Sequence, residues 1–327
     1  MKAIVRDRYG SPDVLRLEEV ERPTPREGEL LIEVRAASLN GFDWHALTAD
    51  AFMIRLVSGL WRPRSRRLGA DIAGRIVATG PGTSRFQVGD DVFGSARGNM
   101  AAFAEYARAR ETALAPKPAN VSFEEAAAAP MAAMTALQGL RDHGRVRPGD
   151  QVLIYGASGG VGTFAIQIAR WLGAEVTAVC STRNVEQARA LGAARVIDYQ
   201  REDFTAGGAL YDAILVANGD PDLGHIERAL KPGGRGVLVG AVRPLPVLAL
   251  RMVRQRWIAV AHKKKIGSFV TRYNAGDLAL LADLLASGEL RPVIEARFTL
   301  EETAEAMRYL GRGHARGKIV LTVEHAG

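Results

Sequence analysis

Tyr155-Gly156-Ala157-Ser158-Gly159-Gly160-Val161-Gly162 is the stretch that decides how this chain is read. Gln151–Tyr155, just before it, is a short apolar run that reads as a buried strand. Residues 161–172, just after it, have helical spacing and are stopped by Gly173. Four glycines in the seven residues 156–162 leave the backbone bare where strand turns into helix. A pyrophosphate can approach such a backbone closely. The helix N-terminus then adds unpaired N–H groups and the positive end of a dipole. A plain structural turn seldom needs so many glycines.

The pattern continues downstream. Glu175–Cys180 reads as a second strand, and residues 184–191 as a helix capped by Asn184 and stopped by Gly192. Tyr211–Val216, a helix over 222–230 and a strand over 236–239 follow. Strands alternating with helices imply a parallel sheet with crossover helices, a Rossmann unit. Gly156, Ser158, Gly159, Gly160 and Val161 are therefore the expected pyrophosphate contacts. An NAD site places a carboxylate at the end of the second strand, ~20 residues beyond the glycines, to bind the ribose 2′-hydroxyl. Here that place reads Cys180-Ser181-Thr182-Arg183-Asn184. A hydroxyl, a guanidinium and an amide suit a phosphate instead. Tyr199, after the third strand, is within reach of the same pocket. Ser181, Arg183, Asn184 and Tyr199 thus predict NADPH.

Upstream, the first ~120 residues read as β-rich, with alternating segments at 2–5, 30–34, 72–79 and 103–107. Gly and Pro punctuate them, as in Gly80-Pro81-Gly82, and suggest a small barrel. Near Val121 the texture changes: Ser122-Phe123-Glu124-Glu125 is a capping box that opens an alanine-rich helical stretch. A chain of 327 residues calls for two domains. Its one cysteine, Cys180, excludes an internal disulfide framework and any multi-cysteine zinc site, and fits a reducing compartment. The start lacks the apolar core of a signal peptide and no apolar run is long enough to span a bilayer, so the expected location is cytoplasmic. The net charge is +7, yet no nucleic-acid motif accompanies it. Two runs join bulky apolar residues to clustered cations: 52–67, through Trp61 to Arg62, Arg64, Arg66 and Arg67, and 245–265, through Trp257 to Lys263-Lys264-Lys265. Core or self-association contacts explain them, and so does a weak contact with an anionic membrane surface.

Several motifs run in a familiar order: 36–43 (Ala-Ala-Ser-Leu-Asn-Gly-Phe-Asp), 68–74 (Leu-Gly-Ala-Asp-Ile-Ala-Gly), 88–92 (Val-Gly-Asp-Asp-Val), the glycine turn, and His314-Ala315-Arg316-Gly317-Lys318. Over nearly its whole length the chain resembles the quinone oxidoreductase (zeta-crystallin) branch of the medium-chain dehydrogenases/reductases, in particular its reticulon-interacting-protein-like subgroup. The resemblance implies an α/β fold in which a doubly wound Rossmann sheet is inserted in a GroES-like β-barrel catalytic domain. The expected segments are 1–122 (barrel), 123–262 (Rossmann, NADPH-binding) and 263–327 (return to the barrel). A homodimer is implied as well. By the same analogy Thr135 and the Val239-Gly240-Ala241 turn lie near the nicotinamide, and Lys318 near the cofactor phosphates. Asn218 stands where many relatives carry a valine-glycine pair, so it is expected to contact the cofactor or substrate differently.

Zinc-dependent relatives hold their metal with cysteine, histidine and cysteine. The equivalent positions here, Asn40, Ala70 and Met131, offer no tetrahedral sulfur–nitrogen site, so the chain reads as zinc-independent. Without a Lewis acid the best substrates are quinones or α,β-unsaturated carbonyls, whose conjugation spreads the developing charge. Asn40 is the first candidate for a polar contact to cofactor or substrate. Asp43 is the second, as an orienting group or simply a helix-cap carboxylate. Asp71 reads as structural, bonding local backbone N–H groups. No general acid is identified, and water is a sufficient proton source. The competing readings are a zinc-free alcohol dehydrogenase or enoyl reductase, and a dinucleotide-binding sensor or structural protein with incidental activity.

Overall fold

The computed structural model describes residues 1–50, 52–206, 208, 210–240, 255, 262 and 264–325. It divides into two compact units, Met1–Met134 with Arg272–Gly327, and Thr135–Thr271. Both joints fall later in the chain than the expected 122/123 and 262/263. At the first joint, the capping-box helix packs on strands of the first unit. At the second, the strand after residue 264 extends the sheet of the second unit.

The first unit begins with β1 (Lys2–Val5), β2 (Arg16–Glu19) and β3 (Glu29–Leu39), then α1 (Gly41–Thr48) and α2 (Phe52–Ser58). It continues with β4 (Asp71–Thr79), β5 (Asp91–Ser95), β6 (Tyr106–Arg110), β7 (Leu114–Pro116) and α3 (Phe123–Ala128). α3 forms where Ser122 predicts it: Ser122 Oγ accepts from Glu125 N at 3.2 Å, and the Glu125 carboxylate accepts from Ser122 N at 2.9 Å. β6 starts later than the expected 103–107 strand. Phe103 and Ala104 pair with β1 instead, and the ladder to β3 begins at Tyr106. α4 (Pro130–Gln138) follows.

The second unit holds β8 (Gln151–Tyr155), α5 (Gly160–Trp171), β9 (Glu175–Cys180), α6 (Val185–Ala190), β10 (Arg195–Asp198), β11 (Tyr211–Val216), α7 (Leu223–Ala229), β12 (Leu230–Leu238) and β13 (Lys265–Ser268). Its six strands run β10-β9-β8-β11-β12-β13, and every pair is parallel. That order, with the first strand central and the reversal between β8 and β11, is the doubly wound Rossmann sheet. α5 packs against β8 and β9, and its Phe164, Ile166 and Ile168 are fully buried. Each such side chain contributes roughly 1.5–3 kcal/mol.

The chain then returns to the first unit with α8 (Ala275–Ser287), β14 (Ile294–Thr299), α9 (Thr303–Gly311) and β15 (Lys318–Thr322). The seven-stranded sheet there runs β14-β15-β3-β4-β5-β7, with β6 added on β3. This sheet, with β15 from the far end of the chain laid on β3, is the expected GroES-like domain. Its core gathers Leu30, Ile32, Ile72, Ile76, Phe103, Leu114 and Ile319. Alternation in β3 and β4 supplies this core: every second side chain points inward. No helix among the described residues is long and apolar enough to cross a membrane.

Candidate functional site

In the second unit, β8 runs into Gly156, whose φ of +73° belongs to the left-handed region. A Cβ there would lie 2.8 Å from the backbone N and O of Asn218. One at Gly162 would lie 2.3 Å from Gly156 O. Only bare backbone closes this turn. Gly159 caps α5, a helix of 12 residues. Ser158, Gly159, Gly160 and Val161 are all partly exposed around its N-terminus. The donor set is thus backbone N–H plus a helix dipole, which fits a pyrophosphate.

The carboxyl ends of β9 and β10 form the adjoining corner. Cys180 and Asp198 are register partners, and Tyr199 N donates to Cys180 O at 3.1 Å. This brings Ser181, Arg183 and Tyr199 together, with Arg183 and Tyr199 exposed. Asn184 corrects the sequence reading. It is 3% exposed, its Nδ2 donates to Ser181 Oγ at 3.1 Å, and its buried Oδ1 has no hydrogen-bond partner. So placed, it orients Ser181 and offers no amide to a ligand. The expectation of a corner without carboxylate is also corrected, because Asp198 enters from the neighbouring strand. Thr182 Oγ1 donates to Asp198 Oδ2 at 2.6 Å, and Gln200 N to Oδ1 at 3.1 Å. The Thr182 hydroxyl holds that carboxyl below its ordinary range.

Elsewhere in this unit, Thr135 is buried, with Oγ1 at 2.8 Å from Thr271 Oγ1. Asn218 is exposed, and its side-chain oxygen accepts from Gly219 N at 2.8 Å. Gly240 is exposed with φ +65°. Ala241 and the apolar-basic run over 245–257, Gln255 apart, lie outside the described residues, as does Lys263.

The first unit contains a buried polar network that joins residues far apart in sequence. Asn40, between β3 and α1, caps the helix, and its backbone N–H donates to Asp43 Oδ2 at 2.8 Å. Its side-chain amide is committed on both sides. Nδ2 donates to Asp71 Oδ2 at 2.9 Å, and Oδ1 accepts from Lys318 Nζ at 2.5 Å. The antiparallel pair Ile319–Leu39 brings Lys318 alongside Asn40, where Nζ also donates to Leu39 O at 2.9 Å. Lys318 is 3% exposed. Its expected place beside cofactor phosphates is therefore a correction, since its charge is spent inside the unit. Asp71 is likewise no local turn residue: it accepts from Tyr273 Oη at 3.0 Å, from Met131 N at 3.1 Å and from Ser38 Oγ at 3.3 Å.

Burial sets the electrostatics here. It pushes the Asp43 carboxyl up to about 7, aided by the nearby Asp71 charge and opposed by the Asn40 N–H bond and Lys318. Burial also raises Asp71, against the pull of Lys318, and lowers Lys318, against both carboxylates. Tyr273 is held well above the ordinary phenol range by burial and by Asp71. Its proton is committed to Asp71, so it is a poor acid. Asp43 Oδ1 is buried without a hydrogen-bond partner. Arg6 is fully buried, donates to Ala46 O, and leaves Nε and Nη2 without partners. Burial lowers its guanidinium to about 10. Sequence reasoning missed Arg6 and Tyr273.

The zinc positions of the related enzymes can be tested on these atoms. The Asn40 amide is fully engaged, Ala70 carries no donor, and Met131 contributes its backbone N–H to Asp71. These residues do not fit a tetrahedral zinc ion. Among the described residues, no group of three or more His, Cys, Asp or Glu side chains is placed to hold a metal.

Two family models match the chain: the alcohol dehydrogenase GroES-like domain over residues 26–119, and the zinc-binding dehydrogenase over residues 191–321. The chain is 32% identical to a chloroplastic quinone oxidoreductase from Triphysaria versicolor, over 98% of each protein. It is 31% identical to a chloroplastic NADPH-dependent alkenal/one oxidoreductase from Arabidopsis thaliana, over 98% of this chain and 79% of that protein. The structure of a quinone oxidoreductase from Coxiella burnetii aligns with a TM-score of 0.88 and 33% identity, over 99% of both chains.

Proposed function

The chain belongs to the medium-chain dehydrogenase/reductase superfamily, and from that premise we propose that it transfers hydride from NADPH to a quinone or an α,β-unsaturated carbonyl without zinc. The observation that carries the reading is the bare turn at Gly156 and Gly162, at the head of a Rossmann sheet whose neighbouring corner displays Ser181, Arg183 and Tyr199.

The nicotinamide cofactor, when bound, supplies the hydride. The chain's own residues do the rest. Gly156, Gly159, Gly160 and the first turn of α5 bind the pyrophosphate through backbone N–H groups. Ser181 and Arg183 bind the 2′-phosphate, and Asn184 fixes the Ser181 rotamer. In the first unit, Asn40 is a positioning residue, because its amide ties Asp71 to Lys318. Asp43 holds a proton near neutral pH and keeps the start of α1 in place. With no metal ligand set among the described residues, charge developing on substrate oxygen is met by hydrogen bonds and by the substrate's own conjugation. This favours quinones and enones over simple ketones.

A second reading of the cofactor rests on Asp198, an ionised carboxylate at the corner, which would favour NADH. Thr182, Gln200 N and, at 3.4 Å, Arg201 already satisfy it. The proposed NADPH-dependent reduction of quinones or enones is tested by following nicotinamide oxidation with NADPH and with NADH across quinones, enones and aldehydes. Turnover confined to aldehydes or alcohols, or a clear preference for NADH, would overturn it.

A further inference from the structure

The β3–β6 pair turns one face to the core, with Leu30, Ile32, Ala107 and Ala109. Strand alternation puts Glu29, Arg108 and Arg110 together on the other face, because Glu29 pairs with Arg110 and Leu31 with Arg108. Glu29 is buried and draws in two guanidinium groups: Arg97 Nε lies 2.8 Å from its Oε1, and Arg108 Nη1 lies 3.2 Å from its Oε2. Arg110 is exposed and stands across from it. Nearby, burial and then the Arg108 charge hold the Arg67 guanidinium below its ordinary range. Arg97 and Arg110 also line one cavity of about 80 Å³, together with Ser95 and Tyr273, and no carboxylate lines it. The Asp71 carboxylate to which Tyr273 donates is drawn to Lys318.

Guanidinium groups gathered around too little carboxylate repel one another, and partial burial adds to the cost. An oxyanion relieves both. The planar fork of arginine suits carboxylate and phosphate alike, so charge decides between them. Arg97, Arg108 and Arg110 against Glu29 leave two positive charges around the cavity. A carboxylate would cancel one of them. A phosphate group, at about −1.5 to −2 near neutral pH, cancels both. A polynucleotide is a poorer occupant, because it lays successive phosphates along a groove and this site is a single recess.

We infer that the cavity beside Arg97 and Arg110 binds a single phosphate group, free or as a monoester, with Glu29 fixing Arg97 at its edge. The cavity belongs to the first unit, whereas the glycine turn for the dinucleotide belongs to the second. Phosphate binding there is independent of the proposed reaction.

The test is thermal unfolding of the full chain with NADP⁺ in excess, which keeps phosphate off the glycine turn. Inorganic phosphate, phenyl phosphate, acetate and chloride are compared at equal ionic strength. A ligand that binds only the folded state raises the midpoint by mass action. Phenyl phosphate is expected to raise it in a saturable manner, and acetate and chloride are not. An equal rise with inorganic phosphate assigns the phosphate group itself; a rise with phenyl phosphate alone assigns a monoester. Arg110→Gln should weaken the fitted affinity roughly tenfold, the loss of one charge-assisted contact. Arg110 is exposed, so the variant's midpoint without phosphate and its affinity for NADP⁺ should match the wild type, which shows that it folds. No saturable rise, an equal rise with acetate, or a wild-type response in Arg110→Gln would overturn the inference. So would single-stranded RNA that binds more tightly than phosphate and loses its hold in Arg110→Gln, which would make the patch a polynucleotide surface.

Discussion

Asp43→Asn isolates the electrostatic cost of the buried network. In the folded protein the Asp43 carboxyl is raised from its ordinary 3.8 to about 7, and the side chain is fully buried, so no solvent screening reduces the effect. Between those two values the folded state holds a proton that the unfolded state has released. Stability from this group is complete below pH ~4 and is lost as pH rises through ~7. At ~1.36 kcal/mol for each pH unit of that interval, the loss is about 4 kcal/mol. Asparagine has the same shape. Its Oδ1 can still accept from Asn40 N, and it never ionises. The assay is chemical unfolding of wild type and variant from pH 4 to 8, read as the difference between them. Subtracting the two cancels the other carboxylates. The variant should gain on the wild type by about 4 kcal/mol across the range, above any constant offset from burying its NH2. Lys318 and Arg6 oppose this by favouring the ionised carboxylate. If they prevail, the difference will be flat or will slope the other way, and burial will have been wrongly ranked above charge pairing.

Arg183→Ala should weaken NADPH binding by roughly ten- to hundredfold, since a charge-assisted hydrogen bond contributes about 1.5–3 kcal/mol. NADH binding, titrated in parallel, should barely change; equal losses would remove Arg183 from the 2′-phosphate. Gly162→Ala would set a Cβ 2.3 Å from Gly156 O and 2.7 Å from Ala157 Cα, atoms that cannot yield. It should lower stability by about 1–3 kcal/mol in thermal unfolding and abolish dinucleotide binding in calorimetry. Exhaustive chelation should leave quinone turnover unchanged and elemental analysis should find no stoichiometric zinc; a zinc-dependent loss would refute the metal-free reading.

The second unit was largely legible because its signals are local. Periodicity, a glycine turn and caps such as Asp222, whose carboxylate accepts from Gly224 N, all lie within a few residues of what they control. The first unit's network was not, because its bonds span 278 positions from Asn40 to Lys318 and 202 from Asp71 to Tyr273. Only the family resemblance places Lys318 near the cofactor phosphates. Only the register of β15 on β3 reveals that it turns inward. Asp198 escaped for a related reason. The rule for ribose recognition inspects the end of the second strand, but parallel pairing sets the third strand's end beside it. In the sequence Asn184 reads both as a cap and as a ligand; its side chain makes no capping bond and, buried, keeps only its bond to Ser181.

The strand that carries Lys318 has a consequence for the order in which the molecule is made. The second unit is one continuous stretch of chain, Thr135–Thr271, and can close as soon as it emerges from the ribosome. The first unit cannot, although most of it is synthesised earlier. Until β15 arrives, β3 lacks one of its partners, and Asp43 and Asp71 lack the ammonium that offsets their burial. The nascent N-terminal segment therefore lacks both that strand and that ammonium until the domain encoded after it has been made.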